Sequence, residues 1–308
     1  MSDIDLSSLT TAVPVFNEER YIVEALESCV GQTERLLIYD NCSTDGTREL
    51  CERFAAEHDG CVYIRHQKNI GAFANFRHAL FECDTEFFHW VGAHDRLDDG
   101  AVGILLDALG RHPDAVLAAA QVRHMDEGSR PIAMKKPMTY GEGLMSDDVF
   151  ERLLTRETIT RDCFIIHGIF RTEVARAAWR DPVCTAWDEA YLLRIAAAGK
   201  IAFDPAAGYW ARMRTRNWKK VSAEKEGRVA GANPAERDQS MMTQMMFQTI
   251  TGLLDSPQAV RSAFRLVEAI HRAHHETRQE RRKRRVRQWL PIALLIALVI
   301  CVLGWILK

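Results

Sequence analysis

Three short segments near the amino terminus end apolar runs with groups that bind anions, bind metals or move protons. Val13-Pro14-Val15-Phe16-Asn17-Glu18-Glu19 passes from apolar residues to an amide and two carboxylates. Leu36-Leu37-Ile38-Tyr39 runs into Asp40-Asn41-Cys42-Ser43-Thr44-Asp45-Gly46-Thr47, and Phe87-Phe88-His89-Trp90-Val91-Gly92-Ala93 runs into His94-Asp95. A carboxylate accepts hydrogen bonds from a base or sugar, and a His-Asp pair offers one nitrogen and one oxygen to a divalent cation. Each segment alone also has a plainer explanation. Glu18 and Asp45 complement helix amino termini, Asp40 serves as a satisfied turn carboxylate, and His94-Asp95 forms a surface turn.

The elements that must position these groups follow a regular order. Strand patterns at residues 9–16, 36–40, 61–66, 87–92 and 115–120 alternate with helical patterns at 19–30, 47–58, 72–82 and 98–111. The run before Asp40 is short and continuous, as in a strand covered on both faces, whereas Leu50, Phe54 and Ala55 recur at helical spacing after the turn at Asp45-Gly46-Thr47. Strands alternating with helices predict an α/β fold, a mostly parallel sheet with right-handed crossovers. In such sheets ligands bind outside the carboxyl ends of the strands, where all three polar segments fall. Residues 121–146 read as loops because of Gly128, Pro131, Pro137, Gly141 and Gly143, and helical patterns resume at 146–155, 172–179 and 188–198.

Charge narrows the function classes. Arg281-Arg282-Lys283-Arg284-Arg285-Val286-Arg287 carries six positive charges, so the rest of the chain carries eight negative ones to reach the total of −2. An acidic body with one local basic run is unlike a nucleic-acid binder, which spreads Lys and Arg over its contact face. Residues 289–307, directly after this run, contain no charge and have Trp289 and Trp305 near their ends. Roughly 20 such residues cross a bilayer, so one transmembrane helix is expected, with the basic flank and the body on the cytoplasmic face. The polar stretch at residues 1–10, with two Asp, has no secretory-signal pattern. The eight cysteines form no Cys-x-x-Cys pair and read as free thiols. The expected organisation is a domain at 1–216, a loop and helical juxtamembrane region at 217–288, and a membrane helix at 289–308. Met241, Met242, Met245 and Met246 fit adaptable packing or a face in the lipid interface.

In this order the motifs resemble those of the family 2 glycosyltransferases of the GT-A fold. Pro14, Asn17 and Glu18 or Glu19 approximate the family's Pro-x-x-Asn-x-Glu, Asp40 to Thr47 its Asp-Asp-x-Ser-x-Asp-Gly-Thr, and Asn69-Ile70-Gly71 its Asn-x-Gly. The resemblance spans roughly residues 8 to 210. It implies a nucleotide-sugar donor, with Asp40 on the base and Pro14, Phe16, Asn17 and Glu18 bordering the same pocket. Asn41, Asn69, Gly71, His94 and Asp95 complete the implied donor edge.

Where relatives carry Asp-Ala-Asp-Asp, this chain has Gly92-Ala93-His94-Asp95, so two of three acidic positions are missing. His94 and Asp95 are the remaining candidate ligands for Mn²⁺ or Mg²⁺, which would offset charge on a leaving diphosphate. Without an ion that task falls to basic groups, for which Arg96, Arg212, Arg214 and Arg216 are candidates, with a solvated basic loop as the plain alternative. The family's Glu-Asp pair, with Arg six residues on, is matched by Asp188 and Arg194, while Trp187 replaces the Glu. Asp188 is therefore the candidate general base, with Glu189 second and helix capping the bland alternative. The expected function is inverting transfer of a sugar to a membrane-associated, lipid-linked acceptor. A membrane-anchored pseudoenzyme or scaffold is the alternative, and a second copy of the chain is a further candidate partner.

Overall fold

Apolar runs and amphipathic segments alternate along the chain, and the computed structural model turns that alternation into a nine-stranded sheet with helices. It describes residues 5–133, 140–158, 163–180 and 187–214. The expected juxtamembrane region, the membrane helix, the Met-rich stretch and Arg216 lie outside these residues. Among the described residues, no helix is long and apolar enough to cross a membrane.

Strands β1 (Leu9–Val15), β2 (Leu36–Asp40), β3 (Cys61–Arg65) and β4 (Phe87–Trp90) are linked by helices α1 (Ile22–Glu27), α2 (Thr47–Glu57) and α3 (Ala72–Phe81). They pair in parallel in the order β3-β2-β1-β4. Every residue of β1 and β2 is buried, as the continuous apolar run before Asp40 requires. Helix α2 buries Thr47, Cys51 and Phe54, one stripe at helical spacing. The in-register pairing of Val15 with Asp40 brings the ends of β1 and β2 to one edge, and with them the first two polar segments.

Beyond β4 the sheet departs from the parallel expectation. After β5 (Arg96–Leu97) and α4 (Ala101–Arg111), strand β6 (Ala115–Met125) pairs antiparallel with β8 (Ile169–Arg171), and β8 pairs antiparallel with β4. The slot beside β4 is thus taken by a three-residue strand, too short to leave a periodic signature. Strand β6 also runs five residues past the expected end, because Gln121, Val122, Arg123 and His124 alternate half-exposed and buried, which suits a strand with one wetter face. A β7 segment (Pro131–Ile132) pairs with its far end. After α6 (Thr172–Ala178), β9 (Lys200–Arg212) joins β6 and pairs antiparallel with β5.

The aromatic core gathers around Trp90, which is fully buried. Phe88 and Phe170, cross-strand partners on β4 and β8, meet its ring edge to face at 4.7 and 5.5 Å. Phe76 of α3 and Trp179 add tilted contacts at 5.8 and 6.0 Å. Burying a side chain of this size contributes a few kcal/mol, roughly, and the cluster fixes the end of β4 from which His94 and Asp95 emerge. All six described cysteines are free, with Cys29, Cys51 and Cys83 buried.

Helices α5 (Val149–Thr158) and α7 (Trp187–Ala198) belong to a second compact unit. There the buried Arg152 donates from Nε to Ala196 O at 2.8 Å and from Nη2 to Ala197 O at 3.3 Å. It thereby satisfies carbonyls at the end of α7 that have no partner within the helix.

Candidate functional site

The strand-end loops are held together by side chains acting across the edge. Asp40 Oδ1 accepts from the Ser43 N–H and hydroxyl at 2.8 and 2.6 Å, and Oδ2 from the Tyr63 hydroxyl and Arg65 Nε at 2.6 and 3.1 Å. Its side chain is completely buried. The residue expected on a ligand's base is thus, in this structure, the anchor of its own loop, with both oxygens engaged. Ser43 in turn accepts from Asn17 N at 3.0 Å, Thr44 N donates to Asn17 Oδ1 at 2.8 Å, and Glu18 N donates to the Thr47 hydroxyl at 2.8 Å.

Asn17 and Cys42 both adopt positive φ, 54° and 64°. Left-handed backbone at a non-glycine residue costs about 1–2 kcal/mol, which these bonds between the loops offset. Asn41 extends the same edge: its amide donates to Asn69 Oδ1 at 2.9 Å and accepts from Ile70 N at 2.8 Å. Gly71, at φ 85°, accommodates the turn into α3. Pro14 lies buried within β1, and Phe16 is half-buried just after it. The structure therefore brings Asn17, Glu18, Asp40, Asn41, Asn69 and Gly71 into one hydrogen-bonded edge, much of it spent on holding itself in place.

The third segment joins through Glu18 and β9. His94 Nδ1 stands 3.4 Å from Glu18 Oε1 without hydrogen-bond geometry, and its Nε2 is 3.8 Å from Asp95 Oδ1. Asp95 is buried, accepting from the Tyr209 hydroxyl at 2.6 Å and the Arg212 N–H at 2.8 Å. Burial opposes its ionisation, yet His94, His167, the Arg212 N–H and the Tyr209 hydroxyl together hold its carboxyl below the usual range. Burial, reinforced by the Asp95 charge, pushes the Tyr209 phenol far up, so Tyr209 keeps the proton it donates. His167 stacks on Tyr209 at 4.7 Å, and burial lowers its own affinity for a proton.

Arg212, expected as a candidate for diphosphate charge, has a different task. Its Nε donates to His94 O at 2.7 Å, Nη1 to Asp126 O and the Ser129 hydroxyl, and Nη2 to Glu24 at 2.6 Å. With 1% of its side chain exposed it is a structural clamp. Arg96 lies over the Trp210 ring and 3.9 Å from Glu24. Arg214 reaches the edge itself, pairing with Glu18 and lining a cleft of about 200 Å³ with Asn17, Glu18, Glu19, Arg20, Tyr21, Asp45 and Glu127.

His94 and Asp95, the expected metal ligands, stand 3.8 Å apart at Nε2 and Oδ1. Among the described residues, no three His, Cys, Asp or Glu side chains are grouped to hold an ion. Both Asp95 oxygens already accept from protein donors. A Cβ built at Gly92 would land on Asp95 Oδ2 and lie 2.9 Å from the Tyr209 hydroxyl, so the space for a side chain there is filled. Tyr209, His167 and Glu24 were not legible as site residues. The only trace of Tyr209 is an aromatic pair, Tyr209-Trp210, after Gly208 in a segment not expected to be a strand.

In the second unit, Asp188 lies in the first turn of α7 and accepts from Glu189 N at 3.0 Å. Burial raises its pKa against the opposing pull of the hydrogen bond from Glu189 N, and the Glu189 charge adds a smaller push upward. Glu189 itself accepts from the fully buried Arg156 at 3.2 Å.

Comparison with known proteins agrees with this architecture. The model of the Glycosyl transferase family 2 matches residues 10–176. Abequosyltransferase RfbV of Salmonella typhimurium is 26% identical over 171 residues, 53% of this chain and 50% of its own length. The succinoglycan biosynthesis protein ExoA of Rhizobium meliloti is 28% identical over 151 residues, 46% of each chain. The chain thus spans about half the length of the curated relatives it matches. Among solved structures, S. aureus TarS 1–349 in complex with UDP-GlcNAc superposes with a TM-score of 0.61 at 16% identity, covering 94% of this chain and 79% of that one. The mannosyltransferase PcManGT of Pyrobaculum calidifontis, in complex with GDP-Man and Mn²⁺, gives 0.52 at 14% identity, covering 96% and 80%. At these identities the likeness is one of fold.

Gly92→Ala tests the packing of this edge. The added methyl must displace Asp95 or Tyr209, and a loss of about 1–3 kcal/mol in urea unfolding is expected. An unchanged midpoint would show that the space is not filled.

Proposed function

The chain belongs to glycosyl transferase family 2, and from that we propose that it transfers a sugar from a nucleotide-sugar donor to an acceptor hydroxyl with inversion at the anomeric carbon. The observation that carries this is the joining of the β1, β2 and β4 end loops into one rigid edge beside an open cleft, within the matched region. A preorganised strand-end edge suits a nucleotide, whose base and ribose need fixed donors and acceptors. Two proteins sharing the fold, one in complex with UDP-GlcNAc and the other with GDP-Man, support the same donor class.

In the reaction, the acceptor oxygen forms a bond to the anomeric carbon while the carbon–oxygen bond to the diphosphate breaks. The electron pair leaves with the diphosphate oxygen, and the acceptor's proton passes to Asp188. Its raised pKa makes Asp188 a better proton acceptor than an exposed aspartate. Residues 1–216 would form the transferase, 217–288 a juxtamembrane segment and 289–308 a membrane anchor, with the body on the cytoplasmic face. Support for that lies in the uncharged run at 289–307 and the six basic residues before it. A lipid-linked acceptor follows, since an anchored enzyme meets substrates confined to the same surface.

Thermal unfolding of the full chain with a panel of nucleotide-sugars tests the donor class. A donor at a hundred times its Kd adds about 2.7 kcal/mol, and a panel in which none raises Tm would exclude donor binding. Asp188→Asn should lower kcat by about 10²–10⁴ with little change in donor binding. In the unmodified protein the acid limb of kcat/KM should lie above the ordinary aspartate value of about 3.9, because the base protonates earlier as pH falls. Full activity in Asp188→Asn would remove it from the reaction. Deleting residues 281–308 should reduce transfer to a lipid-linked acceptor in vesicles while sparing donor binding; equal transfer would sink the membrane assignment.

A further inference from the structure

We propose that this chain binds the donor's diphosphate without a divalent cation, through Arg214 and His94 at the edge where a metal was expected. The inference rests on the transferase reading above. The position of a missing acid, Gly92, is not vacant: Asp95 and Tyr209 occupy the room a side chain there would need. The remaining acid, Asp95, has one strong donor on each oxygen and is buried. An ion at Asp95 would have to share oxygens that already accept from the Tyr209 hydroxyl and the β9 backbone, on a side chain that is buried.

The same edge holds two nitrogens that make no hydrogen bond. Nε of Arg214 and Nδ1 of His94 are both buried atoms without a hydrogen bond, and both residues flank Glu18. Phosphate oxygens are what two such nitrogens lack, and a guanidinium meets them with paired N–H groups. Arg214 also faces the cleft and has 19% of its side chain exposed, so a ligand can reach it. The carboxylates lining that cleft are largely committed. Glu19 accepts from Gly46 N, Asp45 from Glu19 N and Thr47 N, and Glu127 pairs with Arg20. Arg214 holds Glu18 through Nη2, which leaves its Nε for a phosphate oxygen.

The test is calorimetric titration of UDP, GDP, CDP and ADP into the full chain, stripped with EDTA and then supplied with Mn²⁺ or Mg²⁺. At least one nucleoside diphosphate should bind in EDTA, with added metal tightening it less than tenfold. In EDTA, Arg214→Gln should weaken that binding on the order of ten- to a hundredfold. Tightening by metal of tenfold or more would overturn the proposal while leaving the transferase reading intact, as would unchanged binding in Arg214→Gln. Failure to bind any of the four under every condition would overturn both. Should Arg214→Gln not fold, the metal comparison on the unmodified chain decides alone.

Discussion

A buried carboxylate, Asp95, is the point on which the edge of this fold depends. Leaving it unpaired would cost several kcal/mol, roughly, so its surroundings must supply donors. They come from β9, through the Tyr209 hydroxyl and the Arg212 N–H, across sequence separations of 114 and 117 residues. One interaction therefore ties the loop after β4 to the last described strand. The Arg212 side chain continues the tie to His94 O, Asp126 O, Ser129 and Glu24. Loss of the pair would free the loop, the strand end and the arginine that follows it.

The remaining loops are fixed in the same manner. Asn17 and Ser43, Glu18 and Thr47, and Asn41 and Asn69 bond across gaps of 26 to 29 residues in sequence. Polar side chains that could have faced a ligand directly are used to hold backbone in costly conformations, as at Asn17 and Cys42. Such an edge reorganises little on binding, which favours affinity for a ligand of matching shape.

Much of the amino-terminal half was legible because its signals are local. Strand β2 is a continuous apolar run, α2 a stripe at helical spacing, and Asp40 and Asp95 each follow an apolar run. The parallel half of the sheet came from alternation alone. The antiparallel half did not, because β8 is three residues long and β9 is interrupted by Pro205 and Gly208. Arg212 shows the limit for single residues. Its charge suggested an anion partner, whereas its contacts make it a clamp.

By itself the sequence determined the strand–helix order, the polar loops at strand ends, the family, and the placement of an uncharged run after a basic one. Those are properties of residue type and short-range spacing. Only the tertiary structure decided which polar groups are spent and which are available. Asp40 is saturated, Asp95 is bound to β9, Gly92 is hemmed in, and Arg214 stands at Glu18 across 196 residues of chain. Hydrogen-bond capacity is consumed by partners brought together through folding, and no local pattern records that.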